Sequence, residues 1–325
     1  MSAYILRRAL QGIVKLVIIS FIMFVLTNLS GDPLSQYTNN PRIRAEDRER
    51  IRAELGLNQP IPFRYVGWIK KAAVGDFGFS FSERRPVIQM IGERLPDTLL
   101  LMVVAETVLI SLSLLVGIYQ ATHQYGLADN LLTGFSFVGI SMPVFFVGLA
   151  LLLIFAVQFK LWNKAGATWL PYLPTGTAVW DRSQVSNWVY YMILPVATLV
   201  IIQVAGYARF VRSSVLEVLS QDYIRVARAK GLIERVVVAR HALKNAALPF
   251  ITIIGLDIPL LLAGAVVTES VFSWRGMGRL FINSANNSDF PVVMGILMLV
   301  TVAVIFFQIL VDVIYTLFDP RIKLA

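Results

Sequence analysis

Residues 221–232 read QDYIRVARAKGL, a short basic segment that lies between two long apolar stretches of the chain. Gly231 can end a helix, because glycine readily adopts the left-handed backbone found there. The upstream residues that fall on one helical face, at spacings of three, four and seven, are Tyr223, Val226, Ala227 and Lys230. The pattern predicts a short helix with small side chains that would suit insertion into a cleft, whereas a helix lying on lipid would want larger apolar anchors than alanine.

The composition indicates a membrane protein built from helices. Of the 325 residues, 57% are hydrophobic and 15% are charged, against about 25% charged in soluble domains. The apolar residues collect in runs that are long enough to cross a bilayer as helices, which takes about 20 residues each. We therefore predict an all-α polytopic membrane protein.

Six transmembrane helices are predicted, with a long external loop between the first two. The predicted parts are a first segment with its span at 1–29, an external loop at 30–97, and a core at 98–325 that holds five spans and a coupling loop at 210–247. Proline and capping residues mark several boundaries. The predicted spans are Gly12–Leu29, Thr98–Ala121 opened by Pro96-Asp97-Thr98, Leu132–Phe159 interrupted at Ser141-Met142-Pro143, Trp188–Phe210, Leu248–Phe272 and Pro291–Phe318.

The charges predict the orientation. Arg7 and Arg8 precede the first span, Arg321 and Lys323 follow the last, and the coupling loop is rich in basic residues. Short loops with Lys and Arg stay in the cytoplasm, while long loops translocate regardless of charge. Both termini and the coupling loop are therefore predicted to be cytoplasmic. The net charge of +9 favours contact with anionic lipid over nucleic acid, because the basic residues do not gather with aromatics on one soluble module.

The external loop contains two predicted helical pieces. Arg44–Leu55 has the charge pattern of a helix that Gly56 would end, and Tyr65–Ile69 carries aromatic residues typical of a membrane interface. One interpretation is a packed external cap. The other is a docking surface or substrate vestibule.

The sequence lacks the usual chemical motifs of an enzyme or a nucleotide site. It has no cysteine, its two histidines are far apart, and no Gly-x4-Gly-Lys-Ser/Thr loop occurs, so no catalytic or metal site is predicted. Ionisable residues inside spans are candidates for function by default. Glu106 and Asp257 lie deep in their spans and Glu269 lies near an outer end; they could serve an ion-coupled carrier or simply face neighbouring helices or an aqueous cavity.

Several motifs in combination resemble one transporter family. Asp222–Leu232, followed by Arg240–Ala246, looks like the coupling loop of binding-protein-dependent ABC importer permeases, and is closest to the dipeptide and oligopeptide branch. The resemblance covers nearly the whole chain and favours the permease with the long first external loop. The other matching motifs are Arg7-Arg8, Gly31-Asp32-Pro33, Leu55–Pro60, Gly75–Gly78, Glu269–Trp274 and Asp319–Ile322.

The resemblance implies the type I importer architecture and a mechanism driven from outside the chain. A second homologous permease would complete the pathway, two ABC ATPases would bind ATP and Mg²⁺, and an external binding protein would deliver peptide. The chain itself would hold no cofactor and catalyse nothing. Nickel, glutathione and oligosaccharides remain alternative cargoes. The residues expected to couple to the ATPase are Tyr223, Ala227 and Ala229 in its cleft, Arg225, Arg228 and Lys230 at the rim, and Gly231 as the helix stop.

Overall fold

The computed structural model describes residues 2–29, 58–166, 172–176, 185–243, 246, 250, 253–255, 257 and 265–318. Regular structure in these residues is helical, apart from an isolated bridge between Phe79 and Pro86. The α-helices are α1 (Ser2–Leu29), α2 (Ile61–Ala73), α3 (Val87–Thr122), α4 (Leu127–Ser141), α5 (Val144–Leu151), α6 (Phe159–Lys164), α7 (Val185–Leu219), α8 (Asp222–Ala229), α9 (Glu234–Val236), α10 (Met277–Asn286) and α11 (Phe290–Phe318). Two π-helical turns, Leu152–Gln158 and Val237–Ala242, continue α5 and α9.

Five helices within the described residues are long and apolar enough to cross a membrane. They are Leu6–Leu29, Val87–Thr122, Val144–Lys164, Asn187–Leu219 and Phe290–Val313. The predicted all-α polytopic class is therefore confirmed. Of the predicted fifth span, Leu248–Phe272, residues 265–271 are helical, while residues 258–264 lie outside the described residues. The predicted charged helix at Arg44–Leu55 lies wholly outside them, and the count of six spans stays a prediction.

The predicted start of the second span is wrong. Helix α3 begins at Val87 and continues through Pro96, so Asp97 and Thr98 lie inside the helix and do not cap it. A proline in a long membrane helix is tolerated where neighbouring groups satisfy the backbone it frees. The Thr98 hydroxyl instead accepts a hydrogen bond from the Met277 backbone N–H at 2.7 Å. The threonine thereby holds the start of α10 against α3.

The predicted interruption of the third span is confirmed. Helix α4 ends at Ser141 and α5 begins at Val144, with Met142 and Pro143 in extended backbone between them. The residue before a proline disfavours helical backbone, which explains why the break falls there. Both α4 and α5 pack along α7.

Two compact units divide the chain. The first comprises Met1–Thr98 and Arg275–Ile309. Its core packs the start of α3 against α10 and α11 through buried Val87, Ile91 and Val292. A Cβ on Gly295 would come within 2.7 Å of Val87, so this glycine permits the close approach of α11 to α3.

A turn at residues 79–86 is anchored in the same unit by one buried carboxylate. Asp289, which is 1% exposed, accepts hydrogen bonds from the Ser80 hydroxyl at 2.5 Å and from the backbone N–H groups of Phe81 and Ser82 at 3.0 and 3.1 Å. A carboxylate satisfied by three donors offsets the cost of its burial. The turn that precedes α3 is therefore fixed to the end of α10.

The second unit comprises Leu99–Trp274 and Leu310–Ala325. Helix α7 is its centre and packs on α3 and α4. A Cβ on Gly117 would lie 2.6 Å from the Ala208 carbonyl oxygen, so α3 and α7 are nearly in backbone contact. Small residues at such crossings are typical of membrane helix packing. The same helix α7 runs on to Leu219, within the predicted coupling loop at 210–247.

Candidate coupling surface

Helix α8 occupies Asp222–Ala229, as the sequence predicted for this stretch. Asp222 lies in its first turn and Arg228 in its last, which places charges favourably at the ends of the helix dipole. Gly231 follows in the left-handed conformation, with φ +79°. The N–H of Leu232 bonds to the Ala227 carbonyl and that of Gly231 to the Arg228 carbonyl, the two bonds of a Schellman end. Gly231 is therefore the helix stop that the sequence predicted.

One face of α8 is held by the chain itself. Ile224 is fully buried and Ala227 is 7% exposed, and both pack with Val237 against the end of α7. Residues three apart share a helix face, and the larger isoleucine determines which face turns inward. Ala227 consequently supports the helix from within. This differs from the expectation that it enters a partner's cleft beside Tyr223.

The opposite face presents apolar side chains to the outside. Tyr223 is 43% exposed and Val226 is 53% exposed, and Ala229 is exposed further along the helix. Leu232 and Ile233 continue the exposed apolar character past Gly231. Val226 and Ile233 were not among the expected site residues. The available signal was the β-branched side chain of Val226 on a short polar helix and that of Ile233 in the turn after it.

The basic residues of α8 divide into two kinds. Arg228 makes a bidentate pair with Glu234, at 3.0 and 2.6 Å, which ties the end of α8 to the start of α9. Its hydrogen bonds hold the pKa of Glu234 below the ordinary range. Arg225 is 3.5 Å from Asp222 and its side chain is 74% exposed, and Lys230 is also exposed. Arg225 and Lys230 are thus the cations best placed to meet another molecule.

A buried ion pair fixes the turn between α3 and α4 to helix α7. Arg212 donates to both oxygens of Asp129, at 3.1 and 3.0 Å, and Asp129 is 2% exposed. The side chain of Gln120 and the backbone N–H of Tyr125 also donate to Asp129. These bonds, with that from Arg212 foremost, lower the pKa of Asp129. Sequence reasoning missed this pair, because its members are 83 positions apart.

The three acidic residues that the sequence singled out inside the spans, Glu106, Asp257 and Glu269, have different surroundings. Glu106 is 8% exposed, and no hydrogen-bond partner for its carboxylate occurs within the described part of the chain. Asp257 accepts a hydrogen bond from the Tyr207 hydroxyl, and Glu106 lies near enough for the two carboxylates to interact electrostatically. Glu269 is fully buried, and its backbone carbonyl accepts from the Trp274 N–H at 2.8 Å. The structure thus places Glu106 close to Asp257.

Two family models together cover nearly the whole chain. The model described as "Binding-protein-dependent transport system inner membrane component" matches residues 113–324, and its N-terminal companion model matches residues 1–102. The chain belongs to this family. The resemblance found in the motifs is thereby confirmed, and the permease is a multi-pass protein of the inner membrane.

Curated relatives align with the permease from end to end. The oligopeptide transport system permease protein AppB of Bacillus subtilis is 38% identical and covers 99% of this chain and 100% of its own length. The dipeptide transport system permease protein DppB of Escherichia coli K12 is 35% identical, with 99% of each chain covered. The glutathione transport system permease protein GsiC of E. coli O1:K1 is 36% identical, with 99% of each covered. A permease of this family works with a substrate-binding protein and ATPase subunits.

Proposed function

We propose that this permease forms half of the translocation pathway of an ATP-driven importer of short peptides. The names of its relatives support the cargo, since they include oligopeptide and dipeptide systems and glutathione is itself a small peptide. The other half would be a second homologous permease, with two ABC ATPases below and an external binding protein above. Both termini would lie in the bacterial cytoplasm, and ATP with Mg²⁺ would be bound by the ATPases alone.

The observation that carries the mechanism is the two-sided character of α8. Its inner face, at Ile224 and Ala227, is packed into the chain, and its outer face exposes Tyr223, Val226 and Ala229 beside the charged Asp222 and Arg225. Exposed apolar side chains that adjoin one another, as these do, are typical of a surface that a partner covers. We assign the outer face to a cleft of the ATPase, with Arg225 and Lys230 at its rim.

Anchoring on one side lets α8 transmit a displacement. Motion of the outer face is passed through Ile224 to the end of α7, and α7 reaches Asp129 through Arg212. An ATP-driven change can shift the pathway between two arrangements only if the ATPase contacts differ between them. In this role the permease is a non-catalytic subunit that converts ATPase closure into a change of access.

The test is transport by a reconstituted complex in proteoliposomes. Permeases, ATPases and binding protein are purified together, and uptake of a labelled dipeptide and of a labelled oligopeptide is measured with ATP inside or outside the vesicles. We expect uptake that requires ATP on the α8 side. Uptake by this chain alone, driven by an ion gradient without ATP, would instead support an ion-coupled carrier.

Cargo is decided by competition in the same vesicles. Unlabelled dipeptide, oligopeptide, glutathione, nickel and an oligosaccharide are each added in excess over the labelled peptide. Competition by peptides alone supports the proposed cargo. No uptake of either labelled peptide, with ATP-dependent uptake of labelled nickel or of a labelled oligosaccharide in the same vesicles, would reassign the permease to one of those substrates within the same family.

A further inference from the structure

Helix α2 lies across the Leu29 end of α1 and is fastened to it by polar and aromatic contacts. The Tyr65 hydroxyl donates to the Val17 carbonyl at 3.0 Å and is 2.8 Å from the Ser20 hydroxyl. Arg64 donates to the Asn28 side-chain oxygen at 2.6 Å. Tyr65 also meets Phe24 edge to face, with ring centroids 5.7 Å apart. These contacts fix α2 along the outer part of a helix that is itself long and apolar enough to cross the membrane.

The contacts give the depth of α2. Phe24, which packs against both Tyr65 and Trp68, is five residues from Leu29, or about 7 Å along a helix that rises 1.5 Å per residue. Amphipathic helices of membrane surfaces lie at about 5–10 Å, at the boundary of headgroups and acyl chains. Asn28, the partner of Arg64, is one residue from the end of the span. Tyr65 also reaches Val17, which is 12 residues or about 18 Å from Leu29, so the contacts of α2 cover the half of the span that ends at Leu29.

The face of α2 that points away from α1 exposes apolar side chains, with Lys70 among them. Phe63 is 68% exposed, Val66 is 47% exposed and, just past the helix end, Val74 is 82% exposed. The inner positions Tyr65 and Ala72 are each 7% exposed. Lys70 and Lys71 occupy the last turn and are exposed. A lysine on such a face, like Lys70, can extend to lipid phosphates while its stem covers apolar surface.

We propose that the outer face of α2 is seated in the lipid leaflet at the Leu29 end of α1. Phe63, Val66 and Val74 enter the acyl region, and Lys70 and Lys71 contact anionic headgroups. We assign lipid to this face because the exposed apolar surface of α2 adjoins the exposed apolar surface of α1. On α1, Leu26 and Leu29 are 57% and 71% exposed. The external loop thus returns to the membrane surface between the first two spans, and α2 supports the first span by packing against its side.

The natural absence of cysteine allows a direct test. Phe63→Cys and Val66→Cys are each labelled with an environment-sensitive fluorophore in the full-length permease, reconstituted in phosphatidylethanolamine–phosphatidylglycerol vesicles. Ser82→Cys, on the exposed turn at residues 79–86, is the matched control. Lipids that carry a nitroxide near the headgroup or near the methyl end of the chain report depth.

We expect blue-shifted emission at positions 63 and 66 and quenching by the shallow nitroxide lipid that is about twofold stronger than at position 82. Quenching by the deep nitroxide lipid should be weaker than by the shallow one. Emission like that of the control would overturn the proposal in favour of a water-facing surface. Blue-shifted emission without lipid quenching would overturn it in favour of burial against protein, which in these vesicles means another copy of the permease. Val74→Cys gives an independent reading if either variant fails to reconstitute.

Discussion

Gly231 shows most clearly how one residue sets the geometry of the coupling loop. Its φ of +79° is open to glycine, whereas a left-handed backbone costs other residues about 1–2 kcal/mol. A Cβ built there would meet nothing within 4 Å, so any penalty comes from the backbone and not from a clash. The residue can therefore be probed without disturbing its neighbours' packing.

We predict that Gly231→Val lowers ATP-driven peptide uptake, because valine disfavours the backbone that ends α8 and starts α9. Gly231→Asn is the matched control, since asparagine tolerates the left-handed region. Uptake and substrate-stimulated ATPase activity are measured in the reconstituted complex. The valine variant should lose uptake relative to ATP hydrolysed, while the asparagine variant stays close to the parent. Equal behaviour of parent and valine variant would contradict this role for Gly231.

The Asp129–Arg212 pair gives a prediction about pH. The folded protein lowers the pKa of Asp129, so the pair stabilises the fold above the ordinary carboxyl pKa of about 3.9 and loses this effect as the pH falls through the folded value. Asp129→Asn should cost about 2 kcal/mol at neutral pH, because Arg212 would be left partly buried without its anion.

This pH dependence is measured by thermal unfolding in detergent. The gap in melting temperature between parent and Asp129→Asn should be constant from pH 8 to about pH 5 and should narrow below about pH 4. Arg225→Gln removes a cation that is exposed near Asp222 and serves as the control, with a shift near zero. If the difference in melting temperature widened on acidification, the claim that the pair loses its stabilising effect at low pH would be wrong.

At the scale of elements, the two faces of α8 should respond differently to truncation. Ile224→Ala removes a fully buried side chain and should weaken local packing by about 2–5 kcal/mol. Val226→Ala removes an exposed one and should leave the helix intact. Hydrogen exchange of residues 222–231 measures the first effect, and co-purification of the ATPase measures the second.

We expect Ile224→Ala to lose protection across α8, and Val226→Ala to keep protection while retaining less ATPase. Loss of protection in both variants would mean that the outer side chains also stabilise the fold. If Val226→Ala retained as much ATPase as the parent, the outer face of α8 would not be part of the ATPase interface.

Elements were predicted from the sequence where a local signal determines them. Helix α8 and its stop at Gly231 follow from side-chain spacing and one glycine, and the break at Pro143 follows from proline's fixed backbone. The start of α3 was misplaced because Pro96 and the polar pair after it looked like a helix start. In the structure the helix continues through them. The Thr98 hydroxyl accepts a hydrogen bond from the backbone N–H of Met277, which is distant in the sequence.

Burial and long-range pairing could not be obtained from spacing alone. Tyr223 and Ala227 are four residues apart and were expected to face the same partner. In the structure Ala227 is instead buried beside Ile224. The anchors Asp129–Arg212 and Ser80–Asp289 join residues 83 and 209 positions apart, so no local pattern reveals them. Such contacts depend on which helices become neighbours, which a single sequence leaves open.

At the scale of the whole molecule, the described part of the chain combines membrane-crossing helices with one exposed helix, α8, beside them in sequence. Five described helices can cross the membrane, and the sequence contains no phosphate-binding loop. The coupling loop joins the end of α7 to an outward apolar face. The central claim is that this face is buried by an ATPase subunit and that the energy for transport enters there.

Site-specific cross-linking on the cysteine-free chain tests this claim most directly. Val226→Cys carries a short photoactivatable cross-linker in the complex purified with its ATPases, and Ser82→Cys is the control. We predict that position 226 cross-links to an ATPase subunit, with a yield that changes on addition of ATP, and that position 82 does not. Labelling of lipid or of no protein at position 226, in a complex that still hydrolyses ATP and imports peptide, would contradict the account.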